Sequence, residues 1–207
     1  MPEFVSDTPI LFHGSLGNAA RVESETKWSP GSICNVSGFS CTSWYDLVWP
    51  WLLNKNWRCL PANKLIENPR QIARDLQCED RFFVRPDSPL KPFSGRVVDV
   101  ASLSLGNLDH GFYYDDETLP VVVAPVAEVE CEWRFIVVEG QVVAGSSYEA
   151  SSRSASTATG MRDARKQAEK MARSILVSFP VYVLDVCFVG GEYRLLELNP
   201  FGGADLY

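Results

Sequence analysis

Two acids and an amide near the end of the chain carry the strongest chemical signal. Asp185 lies inside the apolar run VYVLDVCFV, and Glu197 and Asn199 lie inside RLLELNP. An ionised carboxylate in a buried strand is costly unless it is paired or bound to a metal. Strand side chains alternate, so Glu197 and Asn199 share a face. The face of Asp185 depends on the turn that joins the two strands. A three-residue loop, Gly190-Gly191-Glu192, pairs Val189 with Tyr193 and sets Asp185 opposite Glu197. A two-residue loop slips the register by one and sends Asp185 to the other face. In the convergent register three oxygen-bearing side chains meet. Such hard ligands suit Mg2+ shared with nucleotide phosphates rather than a closed protein cage. The same residues also read as an ion pair between Asp185 and an arginine, with Glu197 and Asn199 marking a strand end.

The elements that must position these groups are legible in part. Apolar runs predict strands over 9–12, 81–85, 96–100, 119–126, 132–138, 141–144, 181–189 and 193–199. Glu139-Gly140 reads as a two-residue hairpin turn. Asn68-Pro69 opens a helix that runs through Leu76. Met161, Ala164, Ala168, Met171, Ala172, Ile175 and Leu176 fall on one helical face, and Pro180 follows the helix. Residues 24–43 and 104–118 read as loop. The serine-rich stretch 146–160 is either a loop that closes over substrate or a surface linker. The cluster Trp44 to Leu53 reads as a core plug for the first lobe, with a substrate-stacking surface as the alternative. The order of elements is α+β.

Composition excludes several function classes. The 207-residue chain is 46% hydrophobic and 22% charged, ordinary values for a globular chain with one large domain or two small lobes. A net charge of −7 without a basic run argues against nucleic-acid phosphates as partners. Six cysteines without CxxC spacing, and only two histidines, argue against a zinc site. Buried reduced thiols fit a cytoplasmic location. No apolar run approaches the ~18 residues of a membrane span, and no signal pattern opens the chain.

The C-terminal residues resemble the ATP-grasp superfamily. Its members end with an acid on one strand and Glu-x-Asn on the next, matched here by Asp185, Glu197 and Asn199. FFVRP, residues 82–86, is similar to the strand that delivers a lysine to the ATP phosphates. Arg85 stands in that place, and Lys91 follows just before Phe93-Ser94-Gly95. This pattern resembles a clade of small bacterial and phage members with arginine at that point. The segment PVVVAPVAEVECEWRFIVVEGQVV resembles the family's linker strand, followed by a Glu-aromatic-Arg strand. The resemblance covers roughly residues 80–204. The usual first-lobe lysine has two candidates, Lys55 and Lys64.

The resemblance implies two lobes of mixed or antiparallel sheet with helices, and nucleotide held between them. It divides the chain into an N-terminal lobe, 1–80, and an ATP-grasp-like region, 81–207. It implies Mg2+ on Asp185, Glu197 and Asn199, and ATP held by Arg85, Lys91 and Ser94. Val123, Ala124 and Val126 would lie near adenine, Glu132 near the ribose or a metal-bridged group, and Arg134, with Arg85, at the transferring phosphoryl group. The implied activity is that of an ATP-dependent carboxylate–amine ligase, which makes an amide or peptide bond through an acyl phosphate. A kinase with a hydroxyl acceptor and a non-catalytic nucleotide-binding or interaction module are the alternatives.

Overall fold

The computed structural model of the protein describes residues 8–109, 116–147, 158–175 and 179–206. The chain opens with β1 (Ile10–Leu11), α1 (Leu16–Glu25), β2 (Pro30–Gly31) and the short helix α2 (Cys41–Trp44). It continues through β3 (Arg58–Pro61), α3 (Ala62–Glu67), α4 (Pro69–Leu76), β4 (Arg81–Pro86), β5 (Arg96–Asp99) and α5 (Leu105–Asp109). Then come β6 (Pro120–Pro125), β7 (Cys131–Val138), β8 (Gln141–Ser147), α6 (Ala158–Ser174), β9 (Val181–Val189) and β10 (Glu192–Pro200). The architecture is α+β, built on two four-stranded antiparallel sheets. One has the order β3-β6-β4-β5 and the other β10-β9-β7-β8. β1 and β2 form a small parallel pair.

Each sheet is backed by the helices whose apolar stripes the sequence displays. Pro69 opens α4, and Ile72, Ala73 and Leu76 pack into the core of the first sheet. Ala164, Ala168, Met171, Ala172 and Ile175 of α6 pack on the second. Leu176 and residues 148–157 lie outside the described residues, and with them most of the serine-rich stretch. Residues 105–109 form a helix where the Gly, Asn and Asp content suggested loop, because Leu108 is fully buried in the first-sheet core. Residues 110–115 also lie outside the described residues. Trp44, Tyr45, Val48 and Leu52 are buried in the core of the second sheet, so this part of the cluster is a plug, but for that sheet rather than for a first lobe. Trp49 is 46% exposed.

The N-terminal residues are braced against the C-terminal end of β10. Gly14 N–H donates to the Gly202 carbonyl at 3.0 Å. His13 Nε2 donates to the Ala204 carbonyl at 2.9 Å. The contact is backbone on backbone: a Cβ at Gly202 would lie 1.9 Å from the Ser32 carbonyl oxygen. All six cysteines are free, and Cys34, Cys41 and Cys187 are buried. Among the described residues no helix is long and apolar enough to cross a membrane.

Gly202→Ala should therefore destabilise the protein by about 2 kcal/mol or more, since the obstructing atom is backbone and cannot rotate away. Gly17→Ala, in a helix with open space around it, should be neutral or stabilise by ~0.5 kcal/mol. Urea unfolding of the two variants beside the wild type checks both signs.

Candidate active site

The turn between β9 and β10 has two residues. Val189 pairs with Glu192, and Gly190 and Gly191 both take positive φ, 55° and 83°, as a two-residue hairpin requires. That register alone would place Asp185 on the face away from Glu197. A bulge between Leu195 and Glu197 adds one residue to β10, and Glu197 comes to pair with Asp185. Leu195 before the bulge and Leu198 after it both reach the core. Leu196, Glu197 and Asn199 face a cleft. The bulge is pinned from the N-terminal third of the chain. Leu195 N–H donates to the Trp51 carbonyl at 2.7 Å, and Leu53 N–H donates to the Leu195 carbonyl at 2.9 Å.

Arg134 on β7 pairs with Asp185 from the other side. Arg134, Asp185 and Glu197 thus form one row across three strands. Arg134 Nε and Nη2 each donate to Asp185 at 2.7 Å, a bidentate pair, and its Nη1 donates to the Asp205 carbonyl at 2.7 Å. Asn199 Nδ2 donates to Asp185 Oδ2 at 3.0 Å. Glu197 is met from the opposing sheet. Arg85 pairs on β4 with Val122, whose side chain points toward the second sheet's core, and the Arg85 guanidinium follows it. Arg85 Nη2 donates to Glu197 Oε1. Lys91 Nζ donates to Glu197 Oε2 at 3.0 Å, from a backbone position with φ of 47°.

Burial governs the electrostatics of this cluster. It pushes the Glu197 carboxyl up, but the charges of Arg85 and Lys91 outweigh it and hold the group at about 2. Burial raises Asp185, against the pull of its Arg134 hydrogen bonds. Burial also raises Glu132, and the Asp185 and Glu197 charges raise it further. Burial alone would weaken the Arg85 charge; Glu197 reverses this and keeps it protonated.

Asp185, Glu197 and Asn199 supply only hard oxygen ligands, and neighbouring Glu132 gains from any added cation. That chemistry fits Mg2+. Among the described residues no three acids, cysteines or histidines cluster closely enough for a closed cage. Such a site relies on phosphate and water for its remaining ligands, which is how Mg2+ is commonly held.

The cleft has a volume of ≈ 400 Å³, and Lys91, Ser94, Glu132, Arg134, Asp185, Glu197 and Asn199 all line it. A second cavity of ≈ 240 Å³ shares Lys91, Ser94, Glu132, Leu196 and Glu197, and adds Arg85 with the rings of Phe83 and Phe93. Most of the expected site residues are therefore brought together. Val123 and Ala124 are fully buried within β6. Val126 lines a separate cavity with Arg81 and Glu128. Lys64 pairs with Glu67 on the surface, and Lys55 lines neither of the two adjoining cavities. Sequence reasoning missed Leu196, Leu16, Leu90 and Asp205. Leu196 alone left a trace, as one of two successive leucines that break the strand alternation.

Comparison with known proteins identifies the family and the fold. A family model described as an ATP-grasp domain, family 2 of its clade, matches residues 65–207, and the chain belongs to that family. Among solved structures, Cdc123 from Schizosaccharomyces pombe matches with 12% identity and a TM-score of 0.54, over 79% of this chain and 83% of that one. N5-carboxyaminoimidazole synthetase from Staphylococcus aureus, complexed with ADP, matches with 14% identity and a TM-score of 0.53, over 92% of this chain and 52% of that one. The ATP-grasp ligase PsnB, complexed with a precursor peptide and AMPPNP, matches at 15% identity and a TM-score of 0.49. The chain spans 50% of the PsnB chain. At these identities the likeness is one of fold. No curated protein sequence matches.

Glu197→Gln should destabilise the protein by about 3 kcal/mol at pH 7, since it strips the buried Arg85 of its partner. Glu197 titrates near ~4.3 in the unfolded chain and at about 2 in the folded one. Its contribution is therefore complete above the unfolded value and is lost as pH falls toward the folded one. Denaturant unfolding of wild type and variant should differ fully at pH 7 and converge near pH 2.

Proposed function

We propose that this ATP-grasp protein binds MgATP in the cleft and transfers its γ-phosphoryl group to a carboxylate, giving an acyl phosphate that an amine converts to an amide. The observation that carries the reading is the Arg134–Asp185–Glu197 row, faced by Arg85 and Lys91 from the opposing sheet. Cations for phosphate and hard oxygens for a metal alternate within a single cleft.

The groups divide by chemistry. Arg85 and Lys91 hold the phosphates, Arg85 as a planar two-pronged donor and Lys91 as a point charge. Both pair with Glu197, so phosphate oxygens would compete with that carboxylate for them. Asp185, Glu197 and Asn199 would hold Mg2+, which withdraws charge from the phosphates. Arg134 is fixed by Asp185 and the Asp205 carbonyl, and stabilises charge on the transferring group. Ser94 adds a hydroxyl donor at the phosphates, and Glu132 accepts from the ribose. Phe83, Phe93 and Leu196 form an apolar slot for the base. Ala124 pairs with Phe83, which puts Val123 and Ala124 in the strand beside that slot, with Val126 just past its end.

In the first step a carboxylate oxygen attacks the γ-phosphorus, and ADP leaves with the electrons of the broken P–O bond. In the second, an amine nitrogen attacks the acyl carbon, phosphate departs, and the nitrogen loses its proton. The division at residue 80 is then one of roles. Residues 1–80 contribute a wall and the bulge clamp, and residues 81–207 contribute the ligands.

Calorimetric titration of ATP with Mg2+ should give saturable binding to the wild type. Binding should be at least ~10-fold weaker for Lys91→Ala, a loss of about 1.4 kcal/mol, and weak without Mg2+. Phosphate release should appear only when an acid and an amine are supplied together. A wild type that binds no MgATP sinks the reading. Tight binding with no turnover across a broad panel of acids and amines reduces it to nucleotide binding, and a stable phosphoester product makes the protein a kinase.

A further inference from the structure

The outward ridge of α6 carries Arg162, Lys166, Lys170 and Arg173, and all four are exposed. At about 100° per residue they fall within roughly 80° of the helix circumference. Ala164, Ala168, Met171 and Ile175 occupy the opposite side and are buried. Arg162, Lys170 and Arg173 form no ion pair among the described residues. Lys166 meets Asp163 at 3.5 Å, between side chains that are both exposed. The acids of the helix lie on its flanks: Asp163 on one, and Glu169, paired with Arg165 at 3.4 Å, on the other. Cations three and four residues apart on one helix repel each other, so the row costs α6 stability that no acid on the ridge offsets. The row also runs against the net charge of the chain, which is −7.

We propose that this ridge docks an acidic polypeptide segment in extended conformation. An anion laid along the row relieves the repulsion between its cations. The spacing suits a strand: cations four residues apart on a helix are about 6 Å apart along its axis. Carboxylates on alternate residues of an extended peptide lie roughly 6.6 Å apart on one side. The row from Arg162 to Arg173 is about 16 Å long, the span of roughly five extended residues. A lipid surface fits less well, because every residue of the ridge is charged and none is an apolar side chain that could insert. A nucleic-acid strand fits less well too, because α6 holds no aromatic ring for a base to stack on. α6 covers the face of the second sheet that carries Trp133, Phe135 and Val137, and the cleft opens on the face that carries Glu132 and Arg134. The ridge therefore points away from the cleft, and the proposal stands apart from the nucleotide reading.

The test is fluorescence anisotropy with a labelled twelve-residue peptide of repeated Glu-Ser, titrated with the full chain. Two control peptides replace glutamate by glutamine or gather all the glutamates at one end. Saturable binding is expected at ~0.01 M salt and should be lost near ~0.15 M, as the screening length falls from about 30 Å to about 8 Å. The triple variant Arg162→Gln, Lys170→Gln, Arg173→Gln should bind at least about fivefold more weakly. A second triple variant, Lys27→Gln, Arg70→Gln, Arg74→Gln, removes the same charge from exposed positions elsewhere and should bind as the wild type does. Urea unfolding checks that both variants fold. The glutamine peptide should not bind, and the blocked peptide should bind more weakly than the alternating one. Four results overturn the proposal: no binding of the alternating peptide, equal binding of the blocked peptide, equal losses in the two triple variants, or tighter binding of a single-stranded twelve-nucleotide DNA or of phosphatidylserine vesicles.

Discussion

Two carboxylates buried on adjacent strands must each find a positive partner, and the fold is arranged around that requirement. Removing a carboxylate from water costs several kcal/mol even after relaxation, and only close, well-formed pairing repays it. Asp185 is paired within its own sheet, by Arg134 on the next strand. Glu197 has no cation in its own row beyond the one Asp185 already uses, and takes Arg85 from the opposing sheet and Lys91 from its β4–β5 loop. The second solution ties the two sheets together by charge at the point where they face each other. It also sets the Arg85 and Lys91 cations close to the oxygens of Glu197, Asp185 and Asn199.

The N-terminal third belongs to this arrangement. β3 joins the sheet of β4 to β6, and residues 51–53 attach to the edge of β10 at Leu195. A bulge leaves backbone groups without regular partners, and the Trp51 and Leu53 contacts supply them. Asp87, just past Arg85, accepts from Thr42 N–H at 3.0 Å and Thr42 Oγ1 at 2.6 Å, holding α2 beside the buried arginine. The tryptophan-rich segment therefore packs the core and sets the register of the strand that carries Glu197.

Much of the fold was legible in the sequence because its signals are local. The stripe of α6, the proline at the start of α4 and the alternation in β7 each follow from spacing within one element. The convergence of Asp185, Glu197 and Asn199 was also legible, but by a different route from the one the structure takes. The reading assumed a three-residue turn; the molecule has a two-residue turn and one extra residue at the bulge, and the offsets cancel. Two glycines in succession fit either turn, and nothing near Leu196 alone dictates a bulge. The backbone contacts that hold β10 beside it come from Trp51 and Leu53, some 140 positions away. The same distance hid Leu16 and Asp205, which enter the cleft only because α1 folds back on residues 201–203. The helix at 105–109 was missed because the burial of Leu108, rather than local propensity, stabilises it.

The brace between the N-terminal residues and the end of β10 has a consequence for biosynthesis. His13 and Ala204 are 191 positions apart, and Gly14, Leu16 and Ser32 all close on residues 202–204. Contacts of such separation form late and slow folding, because a long loop must be closed before they gain anything. On the ribosome, α1 and the β1–β2 pair emerge more than 160 residues before their packing partners are made. At ~5–20 residues per second that interval is roughly ten to thirty seconds. Throughout it the apolar face of α1, with Leu16, Ala19 and Val22, has no native surface from residues 201–203 to cover it. The native cover of this helix is thus among the last parts of the fold that can form.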